Sequence, residues 1–559
     1  MGKQFQKKGF KKKNFAKFKP DFQKNNRPRE NFDNFIHREI KSLELNEINH
    51  DLINTEVSIS GLVNRISQTG GPTMFSVSDG TGTLALKGFA GMGVRSFPEI
   101  SEGDTVKARV VISEFANELE GEIKSISKLS PDEHKNYLNK IIGVQKKRSE
   151  VKEIPFLVNS IVLDKLRQRF IKAAEEIRLA IIQNRPIIVR HHNDTDGYCA
   201  GYALEKAILP LIEKEHGSEK AGWEYFLRAP CAAPFYEIDD SIRDTAISLR
   251  NVAKFSNKMP LIIITDNGST EEDLFGILHG KVHGMEFIVI DHHYFEKDMI
   301  SSQVLTHINP FLVGEDGTKF SAGMLCAEFA RLINNDVTGL EPVPALAGFA
   351  DRIDLNNPAI MEDYLKIAKK QGYTKELLSD ISSVIDFVSA KIRFLEGREY
   401  IGVIFGEPRD KQKALVDLMA PYISRLEQKG LEMAKANAII EKIKKTNLQV
   451  LNIETTFPGF GFYPKPGKAI GLVHDYLQKT KNIKNLITIG RMNTAMTIRA
   501  TDDANFSVHE LISYLNKNSP DSFVEGGGHK NAGSISFIPN KKDEIFTLTK
   551  KFIEERQTN

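Results

Sequence analysis

Three short apolar runs in this chain each end in acids and imidazoles. PIIVRHHNDTDG carries His191, His192, Asp194 and Asp196, LIIITDNGS carries Asp266, and FIVIDHH carries Asp291, His292 and His293. Taken singly, an Asp after an apolar run is as often the cap of the next helix, and a lone His is usually a hydrogen-bonded core residue. Taken together, several carboxylates in one partly buried place repel one another and lose hydration, so they persist where a cation neutralises them. Carboxylate and imidazole donors without thiolates suit manganese, magnesium or zinc. Two such ions held close together activate a water and stabilise the leaving oxygen of a phosphoester.

The elements that position these residues can be read from the runs themselves. Continuous Ile and Val stretches of this length, bounded by turn residues, predict strands buried on both faces of a parallel sheet. The carboxyl ends of such strands are where open α/β sheets bind ligands.

The ordered set HNDTDG, TDNGS, IDHH, GFADRID and GGGHKNAG resembles the DHH/DHHA1 phosphoesterase family, in particular its RecJ-like, archaeal-type single-strand-specific exonucleases, over roughly residues 184 to 540. The resemblance implies an α/β architecture. A parallel-sheet DHH domain spans 184–360, a helical connector 361–448 and a smaller α/β DHHA1 substrate-binding domain 449–555. It further implies that His192, Asp194, Asp196, Asp266, His292 and Asp351 hold two divalent ions, with Mn²⁺ favoured over Mg²⁺, and that Asp266 bridges them. His293 then faces the scissile phosphate and Asp291 orients an imidazole. His191 and Asp354 are read as structural.

Near the C-terminus, Gly526, Gly527 and Gly528 let backbone amides approach an anion, and His529 with Lys530 adds donors. A glycine run is ordinarily just a flexible turn. The strand-like TAMTIRA before it contributes Arg499, which the resemblance places in the same cleft, able to grip a phosphate through two hydrogen bonds and, with His293, to stabilise charge building on the non-bridging oxygens.

Charge is distributed unevenly. Residues 1–30 hold eleven Lys or Arg against Asp21 and Glu30, a local charge of +9, which leaves −6 for the other 529 residues of a chain whose net charge is +3. Phe5, Phe10, Phe15, Phe18 and Phe22 are interleaved with the lysines and no period is sustained, so residues 1–40 are expected to be a disordered basic arm suited to sequence-tolerant nucleic-acid binding. Cys199, Cys231 and Cys326 have no CxxC spacing, which argues against a zinc ribbon or a disulfide framework and for a reducing, cytoplasmic setting. No apolar stretch reaches the roughly 20 residues that span a bilayer.

Residues 46–130 read as a small all-β unit: a strand from Glu56 to Gln68, a hairpin around Asp79–Gly82, then EGDTVKARVVISEF and ELEGEIKSISKLS. The pattern resembles an OB-fold nucleic-acid-binding domain, with Phe75, Phe89 and Phe115 as candidate stacking platforms. Residues 131–183 are expected to form a helical linker. The combined expectation is a metal-dependent phosphodiesterase, an exonuclease acting on single-stranded DNA or RNA in repair, replication or RNA turnover, with a replication or repair helicase or another replisome protein as partner. Two alternatives stand beside it. One is a phosphodiesterase for small substrates such as cyclic dinucleotides, very short RNA or phosphoadenosine phosphate; the other is a scaffold subunit, which would have no reason to keep so complete a charged cluster.

Overall fold

The computed structural model describes residues 40–556 except 116–117, 217–218, 232, 255–257, 393–396 and 458–461; the expected basic arm falls almost wholly outside them. The first sheet is a closed barrel of five strands, β1 (Glu56–Gln68), β2 (Thr73–Ser78), β3 (Thr83–Gly88), β4 (Thr105–Phe115) and β5 (Glu118–Lys128), in the order β1-β2-β3-β5-β4. Its inward positions alternate along each strand, and Val63, Phe75, Val77, Leu86, Val110 and Ile112 fill the interior. This is the OB-like barrel that the strand and turn signals predicted.

Helix α1 (Pro131–Ser149) opens with a capping box between Ser130 and Glu133 and ties the barrel to the parallel-sheet unit. The Tyr137 hydroxyl donates to the Ser60 carbonyl at 2.6 Å, while Arg148 donates to the Gly80 carbonyl and pairs with Glu215. Helix α2 (Ile161–Ile182) then buries an apolar stripe running from Val162 through Phe170 to Ile181.

The second sheet holds β6 (Ile187–His191), β7 (Phe226–Pro230), β8 (Leu261–Thr265), β9 (Glu286–Ile290) and β10 (Thr306–Ile308), all parallel, in the order β10-β9-β8-β6-β7. Their near-continuous burial matches the unbroken apolar runs. On one face lie α3 (Thr195–His216), with α4 (Ala221–Glu224) after it, and later α7 (Ala322–Ile333) and α8 (Val343–Ala350); on the other lie α5 (Ile238–Lys254) and α6 (Glu271–Val282). Right-handed crossovers require this split, since the chain crosses the sheet in opposite directions before and after β7.

Next comes a helical stretch of α9 (Ile353–Asn356), α10 (Pro358–Lys370), α11 (Lys375–Ile392), α12 (Arg398–Phe405) and α13 (Arg409–Asn437). The expectation of helix through residue 448 needs correction. Strand β11 (Ile439–Ile443) starts two residues after α13 and turns at Lys444, whose φ of 52° closes a tight hairpin with β12 (Thr446–Asn452). The Lys and Glu content of IIEKIKK suggested helix, yet its three isoleucines favour a strand once a partner is adjacent.

The third sheet runs β11-β12-β13-β14-β16-β15, with β13 (Leu486–Arg491), β14 (Ala495–Ala500), β15 (Glu525–His529) and β16 (Ala532–Ser536). Helices α14 (Ile453–Thr456) and α15 (Pro466–Lys481) pack with α13 around Leu451, Ile453, Ile470 and Val473, while α16 (Val508–Asn518) and α17 (Lys542–Arg556) pack on this sheet around Leu448, Ile489, Ile498, Leu511 and Phe552. Among the described residues, no helix is long and apolar enough to cross a membrane, and all three cysteines are buried free thiols.

Candidate metal centre

The loops after β6, β8 and β9 converge, and the loop after α8 brings Asp351 to the same place. His292 sits at the centre. Its Nε2 lies 3.2 Å from Asp351 Oδ2, 3.4 Å from Asp266 Oδ1 and 4.0 Å from Asp196 Oδ2. His192 Nδ1 lies 2.8 Å from Asp194 Oδ2 and 3.6 Å from Asp266 Oδ2, so Asp266 stands between the two groups.

Backbone geometry fixes each acid. Asp266 takes φ of 60°, a conformation an L-residue adopts only where its surroundings hold it, and its amide donates to the Ile290 carbonyl on the neighbouring strand. The Asp194 carboxylate accepts from the Gly197 amide at 3.0 Å, the capping role an isolated Asp would have, while its other oxygen faces His192. Asp196 is buried, and its two oxygens accept from Ala322 and Gly323 at the start of α7, at 2.8 and 3.0 Å. These approaches leave no room for side chains: a Cβ on Gly197 would sit 2.2 Å from the His192 carbonyl oxygen, and one on Gly323 2.8 Å from Asp196 Oδ1.

The imidazoles are oriented too. His292 Nδ1 lies 3.3 Å from the Gly317 carbonyl, an arrangement that fixes Nδ1–H as donor and turns the Nε2 lone pair toward the acids. Asp291, fully buried, accepts from His293 Nδ1 at 2.7 Å and from the backbone amides of His292 and His293. His191 lies outside the cluster, packed edge-on against Tyr198 with its Nδ1 on the His192 carbonyl. Asp354 faces Lys375 instead.

The electrostatics are those of a site built for cations. Burial, reinforced by Asp266 and Asp351, pushes Asp196 well above the usual carboxylate range. Burial would lower His292, yet Asp266 and Asp351 outweigh it and push the imidazole well above its ordinary value. Asp266 Oδ2, Asp291 Oδ2 and His292 Nε2 are buried with no hydrogen-bond partner among the described residues. Such unpartnered polar atoms converging in one buried place fit a bound divalent ion, which would take the position of the proton on His292. Ligand atoms lie close enough for a shared ion in His192–Asp194–Asp266, Asp196–Asp266–His292, Asp266–Asp291–His293 and His292–His293–His529.

The third sheet closes over this cluster. His529, at the end of edge strand β15, stacks on His293 and places Nε2 4.0 Å from Asp351 Oδ2. The glycine run expected as an anion cradle is itself strand β15: Cβ atoms on Gly526 and Gly528 would strike the Ser534 and Ala532 carbonyl oxygens, and only Gly527 faces open space. Arg499, on β14, packs its guanidinium over Gly471, is opposed by Asp475 and Asp351, and has no hydrogen-bond or ion-pair partner among the described residues.

Three contacts had no sequence signal. Lys465, before α15, donates to the Asn193 carbonyl in the HNDTDG loop at 3.0 Å and to Ser389 Oγ at 2.8 Å, tying the metal loop to the helical stretch. Thr195 donates to Asp386 on α11. Tyr294, directly after His293, is 44% exposed and held edge-on by Phe311, with His509 of the third-sheet unit 5.6 Å away. On the barrel, Phe75 is fully buried and cannot be a platform, because it points inward along β2; Phe89 and Phe115 are 66% and 68% exposed.

Known proteins resemble this chain in sequence and fold. The DHH family, N-terminal domain, matches residues 186–342, the span that carries β6 to β10 and most of the cluster. The protein MJ1198 of Methanocaldococcus jannaschii is 35% identical over 555 residues, covering 92% of this chain and 71% of its own. Among solved structures, a DHH domain described as a member of the s1p family of ribosomal proteins, PF0399, is 34% identical with a TM-score of 0.71, covering 76% of this chain and 99% of that one. RecJ of Thermus thermophilus in complex with Mn²⁺ is more distant, 16% identical with a TM-score of 0.48 over 73% of this chain and 57% of that one. A parallel sheet whose strand ends gather these acids and imidazoles, together with a relative matched along nearly all of this sequence, places the chain in the DHH family.

Proposed function

We propose that this protein is a divalent-metal-dependent phosphodiesterase that removes nucleotides from single-stranded nucleic acid. The observation that carries the reading is the convergence of Asp266, Asp351 and Asp196 on His292, with buried unpartnered acceptors, beneath a second body that supplies His529 and leaves Arg499 unpaired. His192, Asp194, Asp196, Asp266, His292 and Asp351 would hold two ions, Mn²⁺ or Mg²⁺ by donor type. Bound there, the ions would supply an activated water and offset negative charge on the phosphoryl group.

The chain's own residues do the rest. Asp291 accepts from His293 Nδ1–H and its charge favours the protonated ring against burial, so Nε2–H can donate to a non-bridging oxygen in the cleft. Arg499 can hold a neighbouring phosphate with two parallel hydrogen bonds, and His529 limits the room above His293. The barrel, with Phe89 and Phe115 exposed, and the basic residues 1–30 supply stacking faces and positive charge for a single strand, which small substrates would not need.

The test is end-labelled single-stranded DNA and RNA incubated with Mn²⁺, alongside a cyclic dinucleotide and bis(p-nitrophenyl) phosphate. Stepwise release of mononucleotides, abolished by chelator and by Asp266→Ala, supports the reading. Cleavage of the cyclic dinucleotide with intact polynucleotides would replace it by the small-substrate alternative, and no hydrolysis of any of them would refute it.

A further inference from the structure

Two arginines from distant parts of the chain face one carboxylate beside the metal centre. Arg352 follows Asp351 directly, in the turn after α8, and its Nη1 lies 3.6 Å from Asp475 Oδ1 on α15. Arg499 comes from β14 and lays its guanidinium over Gly471, one turn before Asp475 on the same face of that helix. The charges that act on Arg499 most are Asp475, Arg352 and Asp351. Helix α15 therefore brings both guanidiniums to Asp475, against the loop that carries Asp351, itself 3.2 Å from His292.

Neither guanidinium is engaged. Among the described residues Arg352 makes no side-chain hydrogen bond, its approach to Asp475 being too long for one, and Arg499 makes none either. Asp475 Oδ1 is buried and accepts no hydrogen bond. Two planar forks of donors, held near each other and opposed by a single carboxylate, are the donor set that the oxygens of a phosphate take up. Backbone strain singles out the same place. Arg352 takes φ of 59° and ψ of 31°, the left-handed region, although it is neither glycine nor asparagine. Strain of this kind persists where the side chain it positions has a task.

Building on the reading of a polynucleotide substrate, we propose that Arg352 and Arg499 clamp the backbone phosphodiester next to the scissile one, and that Asp475 matches the clamp to that phosphate's single negative charge. Two guanidiniums (+2) and one carboxylate (−1) sum to +1, which one phosphodiester cancels. A terminal phosphate carries about two negative charges at pH 7, and Asp475 repels the excess. The clamp thus favours a strand that continues past the scissile bond over a short piece ending in a phosphate. Its halves come from the metal-bearing unit and from the third sheet, so a phosphate held by both also ties the two together.

Equilibrium binding of labelled single strands to the full chain tests this, with Ca²⁺ replacing Mn²⁺ so that hydrolysis does not intervene. A neutral methylphosphonate is walked along the strand, one phosphate at a time, from each end. Wild type should lose about tenfold in affinity at one position that Arg352→Ala ignores, and Arg352→Ala should lose about as much on the unmodified strand. That position should adjoin the bond cut when Mn²⁺ is supplied. Asp475→Asn should bind a dinucleotide phosphorylated at its 5′ or 3′ end about tenfold more tightly, while its affinity for the trinucleotide changes less than about threefold. Equal methylphosphonate penalties in wild type and folded Arg352→Ala, or no gain for the dinucleotide in Asp475→Asn, overturn the clamp and leave the nuclease reading standing. An absence of hydrolysis with Mn²⁺ would sink the nuclease reading instead, while the same binding comparison still decides on the clamp.

Discussion

The imidazoles of His293 and His529 are stacked, ring centroids 4.8 Å apart and planes 24° from parallel, although one ring comes just after β9 and the other ends β15. Burial, with His293 and His292 close by, pushes His529 down to about 3, so it meets its neighbours as a neutral ring. In the proposed mechanism it would act as a wall that adds no charge.

Removing that wall should cost turnover more than folding. His529→Ala is expected to lower kcat on a polynucleotide by 10- to 100-fold, with a thermal midpoint within about 2 °C of wild type, since the ring packs on the imidazoles of His292 and His293 and belongs to none of the apolar cores described above. Equal loss in His529→Phe and His529→Ala would assign the effect to hydrogen bonding; rescue by Phe would assign it to shape.

Asp266 faces both His192 and His292, so Asp266→Ala should lower hydrolysis at least a thousandfold and reduce the number of Mn²⁺ ions bound in titration calorimetry. Single-strand binding measured by fluorescence anisotropy should stay within about threefold. Parallel loss of binding in a folded variant would contradict the separation of strand binding from chemistry.

Arg499→Lys keeps the charge but loses the paired donors. Its KM for single strands should rise about tenfold while kcat changes little, and Arg499→Ala should behave similarly with a weaker salt dependence. A fall confined to kcat would place Arg499 at the reacting phosphorus.

Tyr294, one residue past His293, is 44% exposed. Tyr294→Ala is expected to raise KM for single strands by roughly 5- to 30-fold, the worth of one stacked base, and to leave bis(p-nitrophenyl) phosphate cleavage unchanged. Tyr294→Phe should retain wild-type values. Loss on both substrates would show that the ring props the metal loop.

Acid should destabilise the fold through buried histidines that are not part of the metal cluster. Burial pushes His216, stacked on Tyr225, and His474, hydrogen-bonded to Thr488, down to about 4. The unfolded chain therefore binds more protons than the folded one between about pH 6.5 and 4, and the stability present above that range is lost as pH falls through it. Thermal melts of wild type should drop more steeply than those of His216→Phe, which keeps the stack, with a gap on the order of 2 °C by pH 5. Parallel curves would show that His216 is already accessible to protons.

How much was legible in the sequence depended on how locally each feature is determined. The runs ending at His191, Thr265 and Ile290 match β6, β8 and β9 because an unbroken β-branched run has few other uses in an α/β protein, and the barrel strand Glu56–Gln68 was equally readable from alternation. Phe75, Phe89 and Phe115 look alike in sequence; only closure of the barrel sends the first inward. β11 was hidden because a largely exposed strand that contains a glutamate and a lysine carries the same residues as a solvated helix. Lys465 was invisible for a different reason: its partners, Asn193 and Ser389, are far away in the chain, and no local pattern announces a contact across such a separation.

Asp196 differs from the other acids in having both oxygens bound by the first amides of α7. Losing Asp266 or His292 would silence the chemistry and relieve repulsion, but losing Asp196 would also strip a buried helix start of its acceptors. A descendant of this protein that abandons hydrolysis is therefore free to shed most of the cluster and is held to this one aspartate, which would outlast the activity as a relic of it.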